Sequence, residues 1–161
     1  MSLPLDLESA YRRHGRIVLR RAGALLGDRD GAREVLQEIF VSLLSDPSQF
    51  RGESSIVTYL YRATTNLCLN RLRDRRSRSR LLDEKVAPIV SGAAEPRAER
   101  LQAVRDLLAR LPDDVARAVV FVYVDEMTLD EVAAVLGCSR RHVSNLLARA
   151  RELAHRQARV A

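Results

Sequence analysis

Tryptophan is absent from this chain of 161 residues, and lysine occurs once, at Lys85. Cysteine is nearly missing too. Cys68 and Cys138 both fall inside helical patterns, so no disulfide scaffold is expected. No apolar run is long enough to span a bilayer. The N-terminal stretch MSLPLDLESAYRRHG lacks the basic-then-apolar design of a signal peptide, which predicts a soluble cytoplasmic protein. His14, His142 and His155 stand at no metal-ligand spacing with the two cysteines. A Gly-rich phosphate loop and a nucleophile arrangement are also missing. Together these absences predict no metal, no cofactor and no active site. A binding protein, not an enzyme, is the expectation.

What the chain has in excess is arginine. Of 27 basic residues 26 are arginine, the formal net charge is +6, and the sequence pI is near 10.1. A polyanionic partner is the usual counterpart of such a balance. The charge is unevenly placed. Residues 112–136 carry Arg117 against six acids, whereas residues 137–161 carry six arginines against Glu152 alone. A second concentration lies at Arg71, Arg73, Arg75, Arg76, Arg78 and Arg80, opposed only by Asp74. Two separate basic elements, each ending a helical pattern, point to nucleic acid.

The pattern from Thr128 to Arg156 gives that charge a geometry. Thr128 and Glu131 have the T-x-x-E spacing of a capping box, which satisfies the orphan N–H groups at a helix start. Val132, Ala133 and Leu136 form one apolar stripe, and Gly137 stands where a left-handed residue ends a helix at least cost. Ser139 caps the next helix, with Val143, Leu146, Leu147 and Ala150 inward. Between these project Arg140, Arg141, His142, Ser144, Asn145, Arg149 and Arg151. A tight glycine corner before a helix with outward donors is the helix-turn-helix arrangement, whose second helix enters the major groove. There Arg forks onto guanine and Asn onto adenine, each contact giving roughly 1–3 kcal/mol of discrimination. Arg140, Arg141, His142, Ser144 and Asn145 are the candidates for base edges and Arg149 for phosphate.

The rest of the chain reads as helices. Residues 6–26 form the first, GDRDG at 27–31 a turn, and about 30–45 the second, with Ala32, Val35, Leu36, Ile39, Phe40, Leu43 and Leu44 at helical spacing. Residues 45–55 are a loop. Ser54 or Ser55 caps a third helix with Ile56, Tyr59, Leu60, Ala63 and Leu67 on one face. Residues 77–95 lose periodicity, and Pro88 and Gly92 mark a flexible linker. Pro96 opens a fourth helix with Ala98, Leu101, Val104, Leu108 and Leu111 apolar. The valine-rich run at 113–124 is read as a buried helix in preference to a strand. The fold class is all-α, with two small helical domains at 1–76 and 96–161 joined by that linker.

In order and spacing, four blocks resemble a bacterial RNA polymerase sigma factor of the sigma-70 family. The chain looks like the compact extracytoplasmic-function (ECF) group, which keeps only regions 2 and 4. REVLQEIF (Arg33 to Phe40) matches the family's D-L-x-Q-E-x-F, with Glu34 replacing the usual aspartate. The block from Phe50 to Arg76 is similar to the loop and helix that capture the promoter −10 element. Leu111 to Gly137 and the arginine-rich helix after it look like the module that reads the −35 element. The resemblance implies core-polymerase docking through Arg33, Glu34, Leu36, Gln37, Glu38 and Phe40. It implies −10 binding through Phe50, Arg51, Gly52, Glu53, Ser54, Ser55, Thr58, Tyr59, Arg62 and Asn66, with Arg71, Arg73 and Arg75 on phosphates. The −35 set is Thr128, Ser139, Arg140, Arg141, His142, Ser144, Asn145 and Arg149. Tyr59 stands where many members carry tryptophan, and Ser144 and Leu146 occupy positions that are commonly cationic.

The partners this implies are core RNA polymerase, promoter DNA (duplex at −35, single-stranded at −10) and an anti-sigma factor, with no membrane insertion. Two other classes remain open on sequence: an autonomous helix-turn-helix regulator, and a sigma-like decoy that binds only a regulator.

Overall fold

A computed structural model describes residues 6–83 and 96–159. Seven α-helices and no strand occur among the described residues. By its contacts the chain divides into Met1–Cys68 and Leu69–Ala161.

The first unit is built on α1 (Leu7–Leu26) packed against α2 (Arg29–Ser45). Asp6 caps α1 by accepting from the Ser9 N–H at 3.1 Å, and Gly27 ends it in the left-handed region at φ 68°. Asp28 immediately caps α2. The corner is therefore two residues rather than the five expected at 27–31, and Gly31 lies buried inside α2. Small residues let the helices approach: Gly15 faces Leu36 and Gly23 faces Ala32. Val18, Ala22, Leu25, Val35, Ile39 and Leu43 fill the seam. Each large member contributes roughly 1.5–3 kcal/mol by leaving water.

A short 3₁₀ turn, Pro47–Gln49, and a loop lead to α3 (Ile56–Asp83). Ser55 is its cap, its Oγ accepting from the Thr58 N–H at 3.1 Å. The helix runs seven residues past Arg76 into the segment expected to be a linker. Arginine is a good helix former, and Arg78 Nε donates to the Asp74 carbonyl at 3.3 Å there. Residues 84–95, with Pro88 and Gly92, lie outside the described residues. The face of α3 toward the first unit's core is Leu60, Thr64, Thr65 and Cys68. This differs from the purely apolar stripe expected, because Arg21 on α1 is buried and takes polar partners there. Its Nη1 donates to the Tyr61 carbonyl at 3.0 Å, its Nη2 to Thr65 Oγ1 at 2.9 Å, and its guanidinium sits 4.0 Å over the Tyr61 ring.

In the second unit, α4 (Pro96–Arg110) starts at the expected proline. Only its C-terminal end is buried, at Leu108 and Leu111, while Leu101 and Val104 are exposed, contrary to the apolar stripe expected. Helix α5 (Asp113–Val119) widens into a π turn at Val120–Val124, so the valine run is helical. Val120 and Phe121 are fully buried, but Tyr123 is 61 % exposed. The wide turn closes through Asp125 N–H to the Val120 carbonyl at 3.1 Å and Met127 N–H to the Phe121 carbonyl at 3.0 Å. Between them Glu126 is forced to φ 55°, where a Cβ crowds the backbone. Glu126→Gly is expected to raise stability by about 0.5–1 kcal/mol, relief of strain exceeding glycine's extra chain entropy. A thermal melt checks this, and an unchanged or lower midpoint would refute it.

Helices α6 (Leu129–Leu136) and α7 (Arg140–Ala158) complete the unit. Val132, Ala133, Val135, Val143, Leu146, Leu147 and Ala150 make their shared core with α5.

Candidate nucleic-acid and partner interfaces

The outer face of α2 is formed by Arg33, Glu34, Gln37 and Glu38, all exposed. Leu36 lies beneath it. Leu36 is buried with a methyl 3.6 Å from the position a Cβ would take on Gly15, and Phe40 packs edge-on to Tyr11 at 5.0 Å. Leu36 supports the face from beneath, and Phe40 remains half-exposed. Sequence reasoning missed the apolar residues that accompany the polar ones: Val41 is 58 % and Leu44 70 % exposed. Leu44 shares helical spacing with Leu43, but only Leu43 is buried. A surface mixing carboxylates, an amide and bare aliphatic side chains suits a helical protein partner better than water.

An open cleft of about 390 Å³ lies between the 50–54 loop and α3. Phe50, Arg51, Gly52, Glu53 and Ser54 line one side, and Tyr59, Arg62, Ala63 and Asn66 the other. The α3 residues stand at i, i+3, i+4 and i+7, which puts them on one helix face. Phe50 and Tyr59 meet edge-to-face at 5.7 Å and 75°, leaving aromatic surface at the rim. Burial, and secondarily the Asp46 carboxylate, push the Tyr59 phenol above its ordinary pKa, so it remains a protonated donor at neutral pH. Gly52 takes φ 71°, a turn that glycine permits at no steric cost.

Not every residue expected here lines the cleft. Thr58 and Ser55 exchange a hydroxyl contact at 3.0 Å and form the α3 cap. Arg71, Arg73 and Arg75 are half-buried further along α3, within the second unit's residues. Arg73 is engaged by Asp113 at 2.6 Å and the Leu111 carbonyl at 3.4 Å. Gln49 and Ala63 line the cleft and were missed. Gln49 is held by Ser42, whose Oγ donates to Oε1 at 3.0 Å while Nε2 donates to the Ser42 carbonyl at 3.2 Å.

The α6–α7 corner is the helix-turn-helix expected. Glu131 accepts from the Thr128 N–H and hydroxyl, each at 2.7 Å, and the Glu131 N–H donates to Thr128 Oγ1 at 3.3 Å. Those bonds, the backbone one first, hold the Glu131 carboxyl below the usual range. The cap is thus complete above the ordinary glutamate pKa and weakens as pH falls through the lowered value. Gly137 turns the chain at φ 67°, and Ser139 Oγ accepts from the His142 N–H at 3.1 Å. Thr128 and Ser139 therefore act first as caps. Arg140, Arg141, His142, Ser144, Asn145 and Arg149 are all exposed on α7. Arg140 reaches back to Asp130 at 3.5 Å, and Ser144 Oγ donates to the Arg140 carbonyl at 3.3 Å. Arg141 and Asn145, one turn apart, share a line on the outer face. No helix among the described residues is long and apolar enough to cross a membrane.

The described residues thus carry an open cleft against α3 and a helix-turn-helix with a cationic outer face. Two family models match: Sigma-70 region 2 over residues 10–78, and Sigma-70 region 4 over residues 101–153. The chain belongs to the sigma-70 family of RNA polymerase sigma factors. Its relatives place it in the ECF group. It is 30 % identical over 144 residues to the ECF RNA polymerase sigma factor SigM of Mycobacterium tuberculosis, covering 89 % of this chain and 72 % of that one. It is 27 % identical over 149 residues to the ECF sigma factor SigW of Bacillus subtilis, covering 84 % and 79 %. The fold is shared with the sigma factor RpoE of Bartonella quintana, solved with the anti-sigma factor NepR. That likeness has a TM-score of 0.54 and 20 % identity, over 96 % of this chain and 98 % of that one.

Proposed function

We propose that this ECF sigma factor docks on core RNA polymerase through the outer face of α2, traps the opened −10 strand in the α3 cleft, and reads the −35 duplex with α7. The observation that carries the reading is the cleft. An aromatic rim, a guanidinium at Arg62, an amide at Asn66 and loop hydroxyls and N–H groups offer stacking and hydrogen bonds to a flipped base. On this reading residues 1–76 dock and hold the −10 strand, 77–95 link, and 96–161 read −35. Tethering makes each contact raise the effective concentration of the other. An anti-sigma factor is the proposed regulator, by analogy with the partner named for the Bartonella protein.

Run-off transcription with purified core polymerase tests this. Promoter-specific transcript is expected only with this chain present. Tyr59→Ala is expected to cut initiation on duplex promoters about tenfold, the loss of one stacked base, and to spare templates opened in advance at −10. Tight operator binding without any core-dependent transcript would instead establish an autonomous regulator. Equal loss on both templates would place Tyr59 in the packing alone.

A further inference from the structure

A second cleft, of about 430 Å³, lies along the α1–α2 seam. Arg16 and Arg20 of α1 and Arg29 and Arg33 of α2 surround it, over a floor of Leu19, Gly23 and Ala32. Arg33 shares its charge with Asp30 at 3.4 Å. The guanidinium groups of Arg16, Arg20 and Arg29 make no hydrogen bond or ion pair with any described residue. Helix α1 has no acid after Glu8, so nothing on it neutralises the cluster. Unpaired cations on two helices around an exposed apolar floor are a surface lacking its complement.

We propose that this cleft binds an acidic segment of a protein partner, one bulky apolar side chain seated on Leu19, Gly23 and Ala32 and flanking carboxylates paired with the arginines. Two observations select protein over nucleic acid. A sugar-phosphate backbone presents no bulky apolar side chain to seat on the floor, where Leu19 is 37 % exposed. Gly23 of the cleft also lies across α1 from the side packed on α3, the helix that carries the proposed −10 residues: nine residues separate it from His14, which lines the α1–α3 side, a rotation of about 180° around α1. Because Arg33 also borders the docking face of α2, an occupant here sits beside the polymerase contact and can regulate it.

The probe is a fluorescent peptide with one leucine between pairs of glutamates, titrated into the full chain. Binding is expected to weaken with salt, and to fall about tenfold or more in the Arg16→Glu/Arg20→Glu double variant. Gly23→Leu keeps all four arginines and fills the floor. A Cβ at Gly23 has only Ala32 Cβ nearby, at 4.0 Å, and a thermal melt matching the parent's shows that the longer side chain leaves the α1–α2 seam folded. This variant is expected to lose the peptide as well, while core-dependent transcription without peptide stays at the parent level in both variants. No binding by the parent chain, or binding indifferent to both changes, overturns the proposal. So does a single-stranded oligonucleotide or inorganic phosphate that displaces the peptide and still binds Gly23→Leu. Failure of transcription by the parent chain would sink the initiation reading and leave the peptide result standing separately.

Discussion

Arg21→Ala is expected to cost about 3 kcal/mol, as much as truncating a buried leucine. The side chain is 4 % exposed, and its fork ties α1 to two successive turns of α3. Truncation removes both charge-assisted bonds, strips the Tyr61 ring of its cation and leaves a guanidinium-sized void. Arg21→Lys keeps a cation but cannot fork, so most of the loss should persist. Arg21→Met refills the void without donors and should fall between the parent and Arg21→Ala. Denaturant melts give these values, and a cycle with Thr65→Val should show coupling of about 1 kcal/mol. Additivity in that cycle, or a cost under 1 kcal/mol, would mean that the buried fork does not hold α3. The consequence reaches function, because Tyr59, Arg62 and Asn66 lie on the same helix as Tyr61 and Thr65. A loosened α3 should blunt promoter opening in proportion to its lost stability.

Arg21 also marks where sequence reading stopped. Helix starts and stops were legible because their causes are local: Thr128 with Glu131, Gly137, Ser139, Ser55 and Pro96 each act within one turn. The all-α class followed from the same signals. What was not legible depends on contacts distant in sequence. Arg21 falls on the stripe of Val18, Ala22 and Leu25, but its charge reads as surface, and the polar partners that hold it come from α3 forty residues away. The α3 stripe was therefore read about one residue out of phase. Threonines and a cysteine occupy the buried face, and Ala63, read on the apolar face, borders the cleft beside Tyr59, which the resemblance had assigned to the −10 set.

The candidate sites divide along the same line. Helical spacing puts Arg62 and Asn66 on one face, where both line the cleft, and the α7 donors after the glycine corner are exposed. Leu36 and Phe40 came with a motif whose letters mix surface and support, and only the fold separates them. The seam cleft was invisible because its arginines, 16, 20, 29 and 33, belong to two helices and form no run. Small Gly23 and Ala32 create it, and small residues read equally well as close packing.

Arg141→Glu is expected to weaken promoter binding by the reconstituted polymerase about 100-fold, a lost fork of roughly 1–3 kcal/mol compounded by repulsion from phosphate. The exposed guanidinium of Arg141 is the test case for what α7 reads, since Arg140 is partly engaged by Asp130. Arg141→Ala then decides how the side chain acts. If it forks onto a guanine, affinity falls for the matching −35 sequence only, and preference at one base position relaxes. If it touches phosphate, all sequences weaken together and the slope of log affinity against log salt drops by about one. Asn145→Ala, one turn further, should relax preference at a neighbouring position. Binding left unchanged by Arg141→Glu on duplex −35 DNA would mean that α7 does not enter the groove, whatever its resemblance to a recognition helix.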